Sequence, residues 1–207
     1  MGIDDDLTAY YDAEARSGSR VAPRGFRVEL RERFAELVRA EGRRRVVDVG
    51  AGPGVDTVGW VADGFDTVAI DLAVENCGVA VRRGLTAVAA SLYETPFATS
   101  SFDALWTMST FVHVPMDRSD DALGEMVRVL RPGSPMGIGT WGGRDFEGVP
   151  EFGELRPYRF FSLASHDHWQ STLARHGTVE QFQTFAPTDP SGWEYQFAVV
   201  RTPRSPS

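Results

Sequence analysis

The chain has 207 residues, 42% of them hydrophobic and 24% charged, with 29 acids against 21 bases for a net charge of −8; this is the composition of one soluble globular domain with a sizeable core. Every base is Arg, and the absence of Lys excludes a P-loop lysine, a pyridoxal Schiff base and a lysine nucleophile. The acidic balance argues against a protein that tracks a nucleic-acid backbone, and the single cysteine, Cys77, excludes an internal disulfide framework and a cysteine zinc cluster.

The opening Met1-Gly2-Ile3-Asp4-Asp5-Asp6 is acidic where a signal peptide is basic and then apolar, and no apolar run approaches the roughly 18 residues that span a bilayer. The expectation is a cytoplasmic chain with no membrane partner. Residues 1–42 read as a polar helical segment, with Leu30, Phe34, Leu37 and Val38 on one helix face and Pro23 able to precede it. From Arg43 to Thr202, strand-like and helical patterns alternate. Val46–Val49, Val68–Ile70, Thr86–Ala89, Phe102–Met108 and Met136–Trp141 read as strands, and residues 73–83, Asp120–Leu130 and His168–Arg175 as helices. Two further strands follow, near Val179–Phe185 and Glu194–Arg201, joined by a turn-rich link from Pro187 to Gly192 with no room for a helix. The implied fold is α/β: a Rossmann-like, doubly wound sheet of seven strands, mostly parallel with an antiparallel last strand, and helices on both faces. Gly142 to Ser165 has no clear period and carries five aromatics, Phe146, Phe152, Tyr158, Phe160 and Phe161, so it reads as a functional loop. Residues 203–207 read as a flexible tail.

The sharpest signal is Val46-Val47-Asp48-Val49-Gly50-Ala51-Gly52-Pro53-Gly54: a buried strand, three alternating glycines, then a helix. Glycine permits the tight turn and leaves no Cβ between chain and ligand, and the helix start suits an anionic group. Seventeen residues on, Asp71 ends the next strand, where an acid accepts the hydroxyls of a ribose. The dinucleotide fingerprint needs its third glycine where Val55 stands. Asp48 within the strand would repel a pyrophosphate but favour the ammonium of an amino-acid moiety. Together these favour S-adenosylmethionine over NAD.

These residues resemble the class I S-adenosylmethionine-dependent methyltransferases, in their small bacterial, type 11-like branch. Ala69-Ile70-Asp71-Leu72 matches the family's second motif, Phe111-Val112-His113-Val114-Pro115 a pattern after the fourth strand, and Glu125–Gly133 the helix and turn before the fifth. Arg159-Phe160-Phe161-Ser162 is similar to a late segment of the same branch. The resemblance implies S-adenosylmethionine as cofactor and S-adenosylhomocysteine as product. It places Gly50 and Gly52 against the methionine moiety and Asp48 near its ammonium, with Ala51 and Gly54 also cofactor-binding and Thr107 or Met108 offering a backbone carbonyl to the amino group. Asp71 would hold the ribose, with Leu72 on one side of the adenine and Ser91-Leu92 on the other. Ser91 departs from the acid often found there. Tyr10-Tyr11-Asp12 resembles an element that folds over the cofactor, with Tyr11 in contact.

His113 is the candidate general base; otherwise it caps the junction after the fourth strand. Trp141 faces the acceptor or the core, and Arg144 and Arg159 are candidates for an acidic or aromatic acceptor. Asp103 reads as structural, Cys77 as a small buried residue, and His166 and His168 stand on different helix faces, so no metal site is expected. The expected partner is a small-molecule methyl acceptor, with no nucleic acid, in a monomer or homodimer. The competing functions are an RNA or protein methyltransferase, an NAD-dependent oxidoreductase and a non-catalytic S-adenosylmethionine-binding module. Thr107-Met108-Ser109-Thr110 is not the Asn/Asp-Pro-Pro-aromatic element of nucleic-acid amino-methylating enzymes.

Overall fold

The computed structural model describes residues 2–18, 25–150, 156–186 and 192–204. Pro23, Phe152, most of the 187–192 link and the last three residues of the tail lie outside them. Two helices come first, α1 (Ile3–Ser17) and α2 (Gly25–Ala40). Asp4, Asp5 and Asp6 fill the first turn of α1, where negative charge offsets the helix dipole. The chain then runs through β1 (Arg45–Val49), α3 (Val55–Ala62), β2 (Asp66–Asp71), α4 (Val74–Arg82), β3 (Thr86–Ala89) and β4 (Ala104–Met108). Two single 3-10 turns, Phe111–His113 and Met116–Arg118, lead into α5 (Ser119–Val129) and β5 (Pro135–Gly142). A small pair, β6 (Phe146–Gly148) and β7 (Phe161–Leu163), precedes α6 (His166–Ala174), β8 (Thr178–Phe185) and β9 (Glu194–Arg201).

Seven strands form one sheet in the order β3-β2-β1-β4-β5-β9-β8. The first five are parallel, and β9 lies antiparallel between β5 and β8. The expected architecture is therefore present. The 142–165 stretch is more ordered than its sequence suggests: β6 and β7 pair antiparallel through Phe146↔Leu163 and Gly148↔Phe161, and Gly142 bridges Ala164. Its aromatics signalled packing, but two three-residue strands are too short to show a period.

Strand alternation divides the core. Val47, Val49, Leu105 and Ile138 pack with Leu123 and Met126 of α5 and Leu173 of α6. On the other face Val46, Trp106 and Val199 pack with Phe34 and Val38 of α2 and Trp60 of α3. Among the described residues no helix is long and apolar enough to cross a membrane.

The sheet runs outward from β1 to β2 and β3 on one side and to β4 and β5 on the other. The order reverses between β1 and β4, and a crevice opens at the carboxyl ends there. Asp103 secures the opposite ends: its carboxylate accepts the Arg44 and Arg45 N–H groups at 3.1 and 2.9 Å and pairs with Arg131. Burial opposes the Asp103 charge, but these donors outweigh it and hold the carboxyl below its ordinary value. Its ionised form therefore stabilises the fold above the unfolded value of 3.8, and that contribution is lost as the pH falls. Asp103→Asn should cost about 1.5–3 kcal/mol in urea unfolding at pH 7, with the difference from the parent shrinking at pH 3.

Candidate active site

The glycine turn after β1 is shaped by what packs on it. Gly50, Gly52 and Gly54 all have positive φ, at 68°, 57° and 80°, a region that favours glycine. A Cβ on Gly50 would run into the Thr110 side chain, whose hydroxyl donates to the Val49 carbonyl at 3.1 Å. A Cβ on Gly54 would run into Leu85. The space a side chain would take at these two glycines is thus filled by neighbouring protein, while the Gly50 backbone still borders the cavity described below. The Ala51 N–H is bonded to the Ile70 carbonyl and the Gly54 N–H to that of Ala51.

Asp71, at the end of β2, ties this turn to the next one. One oxygen accepts the Gly52 N–H at 2.7 Å; the other accepts the Ala73 N–H at 2.9 Å and the Asn76 side-chain amide at 3.1 Å. A cavity of about 770 Å³, counting its open mouth, lies against it. Its wall includes Gly50, Asp71 and Leu72, then Ser91 and Leu92 after β3, and Met108 at the end of β4. His113 from the first 3-10 turn and Tyr11 from α1 complete the wall. Eight of the expected site residues therefore meet in one cavity.

Five do not line it. Ala51, Gly52 and Gly54 shape the turn, and Thr107 is fully buried, its hydroxyl without a hydrogen-bond partner among the described residues. Asp48 is also buried, accepting the Thr57 hydroxyl at 2.6 Å. It belongs to a polar cluster with Asp56, which accepts from Arg27 and from the Trp106 indole, both at 3.1 Å. Burial first, and then the Asp56 charge, push the Asp48 carboxyl up to about 7. Period two along β1 already carried this signal, because Asp48 shares a face with Val46 and not with Val49, which does line the cavity.

The opposite wall comes from parts of the sequence far apart. The Tyr11 hydroxyl lies 2.6 Å from His113 Nε2, and His113 Nδ1 lies 2.7 Å from the Phe160 carbonyl. A carbonyl only accepts, so Nδ1 carries the hydrogen and Nε2 accepts from Tyr11. Arg159 Nη1 donates to the same tyrosine oxygen at 3.2 Å. Asp4 and Leu7 share the cavity-facing side of α1 with Tyr11, and their i, i+3, i+7 spacing was readable in advance. Ser109 and Thr110 were missed as wall residues. Ser109 has a φ of 62°, its N–H donates to the Gly139 carbonyl at 2.7 Å, and its hydroxyl lies 3.2 Å from that of Tyr195. A non-glycine residue held in this region commonly marks a functional wall.

The remaining candidates sit elsewhere. Trp141 packs edge-on to Tyr195, and Arg144 is exposed. His166 bonds Gln196 and Glu194, and His168 bonds Asp145. Cys77 is buried, its thiol 3.7 Å from the Asp71 carbonyl.

Residues 47–137 match the family model described as a methyltransferase domain. Malonyl-[acyl-carrier protein] O-methyltransferase of Enterobacter lignolyticus is 33% identical over 118 residues, covering 54% of this chain and 46% of that protein. Demethylmenaquinone methyltransferase of Renibacterium salmoninarum is 30% identical over 154 residues, covering 73% of this chain and 60% of that protein. The chain thus spans about half the length of these curated relatives. Among solved structures it is similar to the 1,6-didemethyltoxoflavin-N1-methyltransferase of Burkholderia thailandensis, bound to 1,6-didemethyltoxoflavin and S-adenosylhomocysteine. The TM-score is 0.68 at 21% identity, covering 97% of this chain and 87% of that one. The segment 47–137 thus matches the methyltransferase domain model, on a fold shared with solved S-adenosylmethionine-dependent methyltransferases.

The cavity fits that cofactor. Gly50 offers bare backbone, Asp71 a carboxylate at the end of β2, and Leu72 and Leu92 apolar wall. Calorimetry should show S-adenosylhomocysteine binding and negligible response to NAD, and Asp71→Ala should weaken the former by about 1.5–3 kcal/mol. Asp48 provides a separate check. Its value of about 7 lies above the ordinary 3.8, so the protonated form stabilises the fold below pH 3.8, and that contribution is lost as the pH rises towards 7. Asp48→Asn should therefore gain on the parent in unfolding free energy between pH 4 and 7 and hold that gain above it.

Proposed function

We propose that this chain transfers a methyl group from S-adenosylmethionine to a small-molecule acceptor through an oxygen or nitrogen nucleophile, with Tyr11 and His113 taking the acceptor's proton. The 2.6 Å contact between Tyr11 Oη and His113 Nε2, inside the cavity that Asp71 also lines, carries this reading. Bound S-adenosylmethionine supplies an electrophilic methyl group on a sulfonium. The protein's part is to bind, orient and move a proton. The Tyr11 oxygen takes the proton of an acceptor O–H or N–H while its own passes to His113 Nε2. The resulting imidazolium keeps its Nδ1–H on the Phe160 carbonyl. Fixing His113 in one tautomer means that no rearrangement precedes the transfer.

Several features support a small acceptor. The N-terminal segment, residues 1–42, acts here as a lid on the catalytic domain of residues 43–202: Asp4, Leu7 and Tyr11 of α1 lie across the cavity, leaving room for a compact molecule. With a net charge of −8 and no Lys, the chain has little to offer a phosphate backbone. The same reading makes the protein a cytoplasmic enzyme, active as a monomer or homodimer.

A screen of acceptors with labelled cofactor, reading S-adenosylhomocysteine formation, tests the class. Turnover on tRNA or protein but on no small molecule would overturn it. With an active acceptor in hand, His113→Asn and Tyr11→Phe should each lower kcat about 10²–10⁴-fold. The double variant should be little worse than either single one, as expected of groups acting as a unit. An unchanged kcat in His113→Asn would remove the proton-accepting role.

A further inference from the structure

Arg159, just before β7 and half-buried, does not itself line the cavity but backs onto Tyr11, which does. Its guanidinium lies 4.4 Å from the Tyr10 ring centroid, 5.1 Å from that of Phe161 and 5.7 Å from that of Tyr11. It donates one hydrogen bond, to the Tyr11 hydroxyl, although a guanidinium has five N–H donors. Among the described residues no carboxylate lies within 4.0 Å of it. The contrast lies with the other described arginines that are not fully exposed: Arg27, Arg31, Arg43, Arg128 and Arg201 each pair with an acid. In a chain with eight more acids than bases, a half-buried cation beside Tyr11 with no counter-ion among the described residues calls for an explanation.

Aromatic faces stabilise the charge of a guanidinium but do not use its in-plane N–H groups, which remain suited to a planar or tetrahedral oxyanion. Neither carboxylate that lines the cavity, Asp4 or Asp71, lies within 4.0 Å of it. Asp71 is bonded to Gly52, Ala73 and Asn76. Asp4 is seven residues from Tyr11 on α1, about 10 Å along the helix axis. We propose that Arg159 is the anion-binding residue of the acceptor site, and that the methyl acceptor carries an anionic oxygen group, carboxylate or phosphate, which docks on it. The pairing would set the acceptor's nucleophile beside Tyr11, whose oxygen shares the same guanidinium. It would also give an acidic protein one local point of attraction for an acidic substrate. This rests on the reading of the Tyr11–His113 wall as the acceptor side.

The test uses the full chain saturated with S-adenosylhomocysteine and three probes of similar size: benzoate, phenyl phosphate and the neutral benzamide. At least one anion should bind tenfold or more tightly than benzamide, with an affinity that falls as salt is raised. A preference for benzoate or for phenyl phosphate identifies the group. Arg159→Met should abolish the preference and Arg159→Lys keep part of it, while both hold S-adenosylhomocysteine within twofold of the parent, which shows that they are folded. Equal binding of all three probes, or an anion preference that survives in Arg159→Met, would overturn the proposal. Failure of the parent to bind S-adenosylhomocysteine would instead overturn the methyltransferase reading beneath it.

Discussion

The Asp71 carboxylate, with its three N–H donors, is the constraint on which this side of the cavity depends. It joins the turn after β1 to the turn after β2, two segments whose strands are hydrogen-bonded neighbours but whose loops are otherwise independent. An ionised carboxylate bonded to N–H donors is among the stronger neutral-pH links a protein can make. Here it fixes the Gly52 backbone relative to the start of α4. The Gly50–Thr110 contact then ties the same turn to the segment after β4. Three strand ends are thereby held in one arrangement without any residue of the cavity floor having to be large.

The other wall is built differently. It depends on α1, which is joined to the body by polar contacts at its far end: the Glu75 N–H on the Asp12 carboxylate at 2.9 Å, and Arg16 with Glu75. Arg16 is well exposed and contributes little. The other attachment is the ring of contacts among Tyr11, His113, Arg159 and Phe160, which joins α1, the first 3-10 turn and the approach to β7. The helix that covers the cavity therefore also supplies the hydroxyl that meets His113, so under the proposed function the cover and the proton-accepting pair share one residue.

Local periodicity made the fold legible. Short β-rich runs separated by amphipathic helices leave little choice of topology, and the tight glycine turn with an acid at the next strand end marked a stretch that borders the cavity. Asp103 and Cys77 were also read as structural from their surroundings. What could not be read locally was contact across distance. Tyr11 and His113 are 102 residues apart, and nothing in either segment alone specifies that the hydroxyl meets Nε2. Nor does the sequence around Arg159 say that no described carboxylate pairs with it. The β6–β7 pair escaped for a different reason, because strands of three residues are stabilised by what they pack on and leave no repeating pattern.

The reversal of β9 has a practical consequence. The five parallel strands all point their carboxyl ends to the side of the sheet that holds the cavity, but β9 runs the other way, so the chain leaves it at the base of the sheet. There the Thr202 N–H bonds the Ser134 carbonyl and the Gly133 N–H bonds that of Pro203. The opening helix, by contrast, lies across the mouth. The two extremities are thus unequal as attachment points. A fusion, surface tether or purification handle placed after Arg204 hangs on the far side from the chemistry, whereas the same appendage ahead of Asp4 sits on the cover itself.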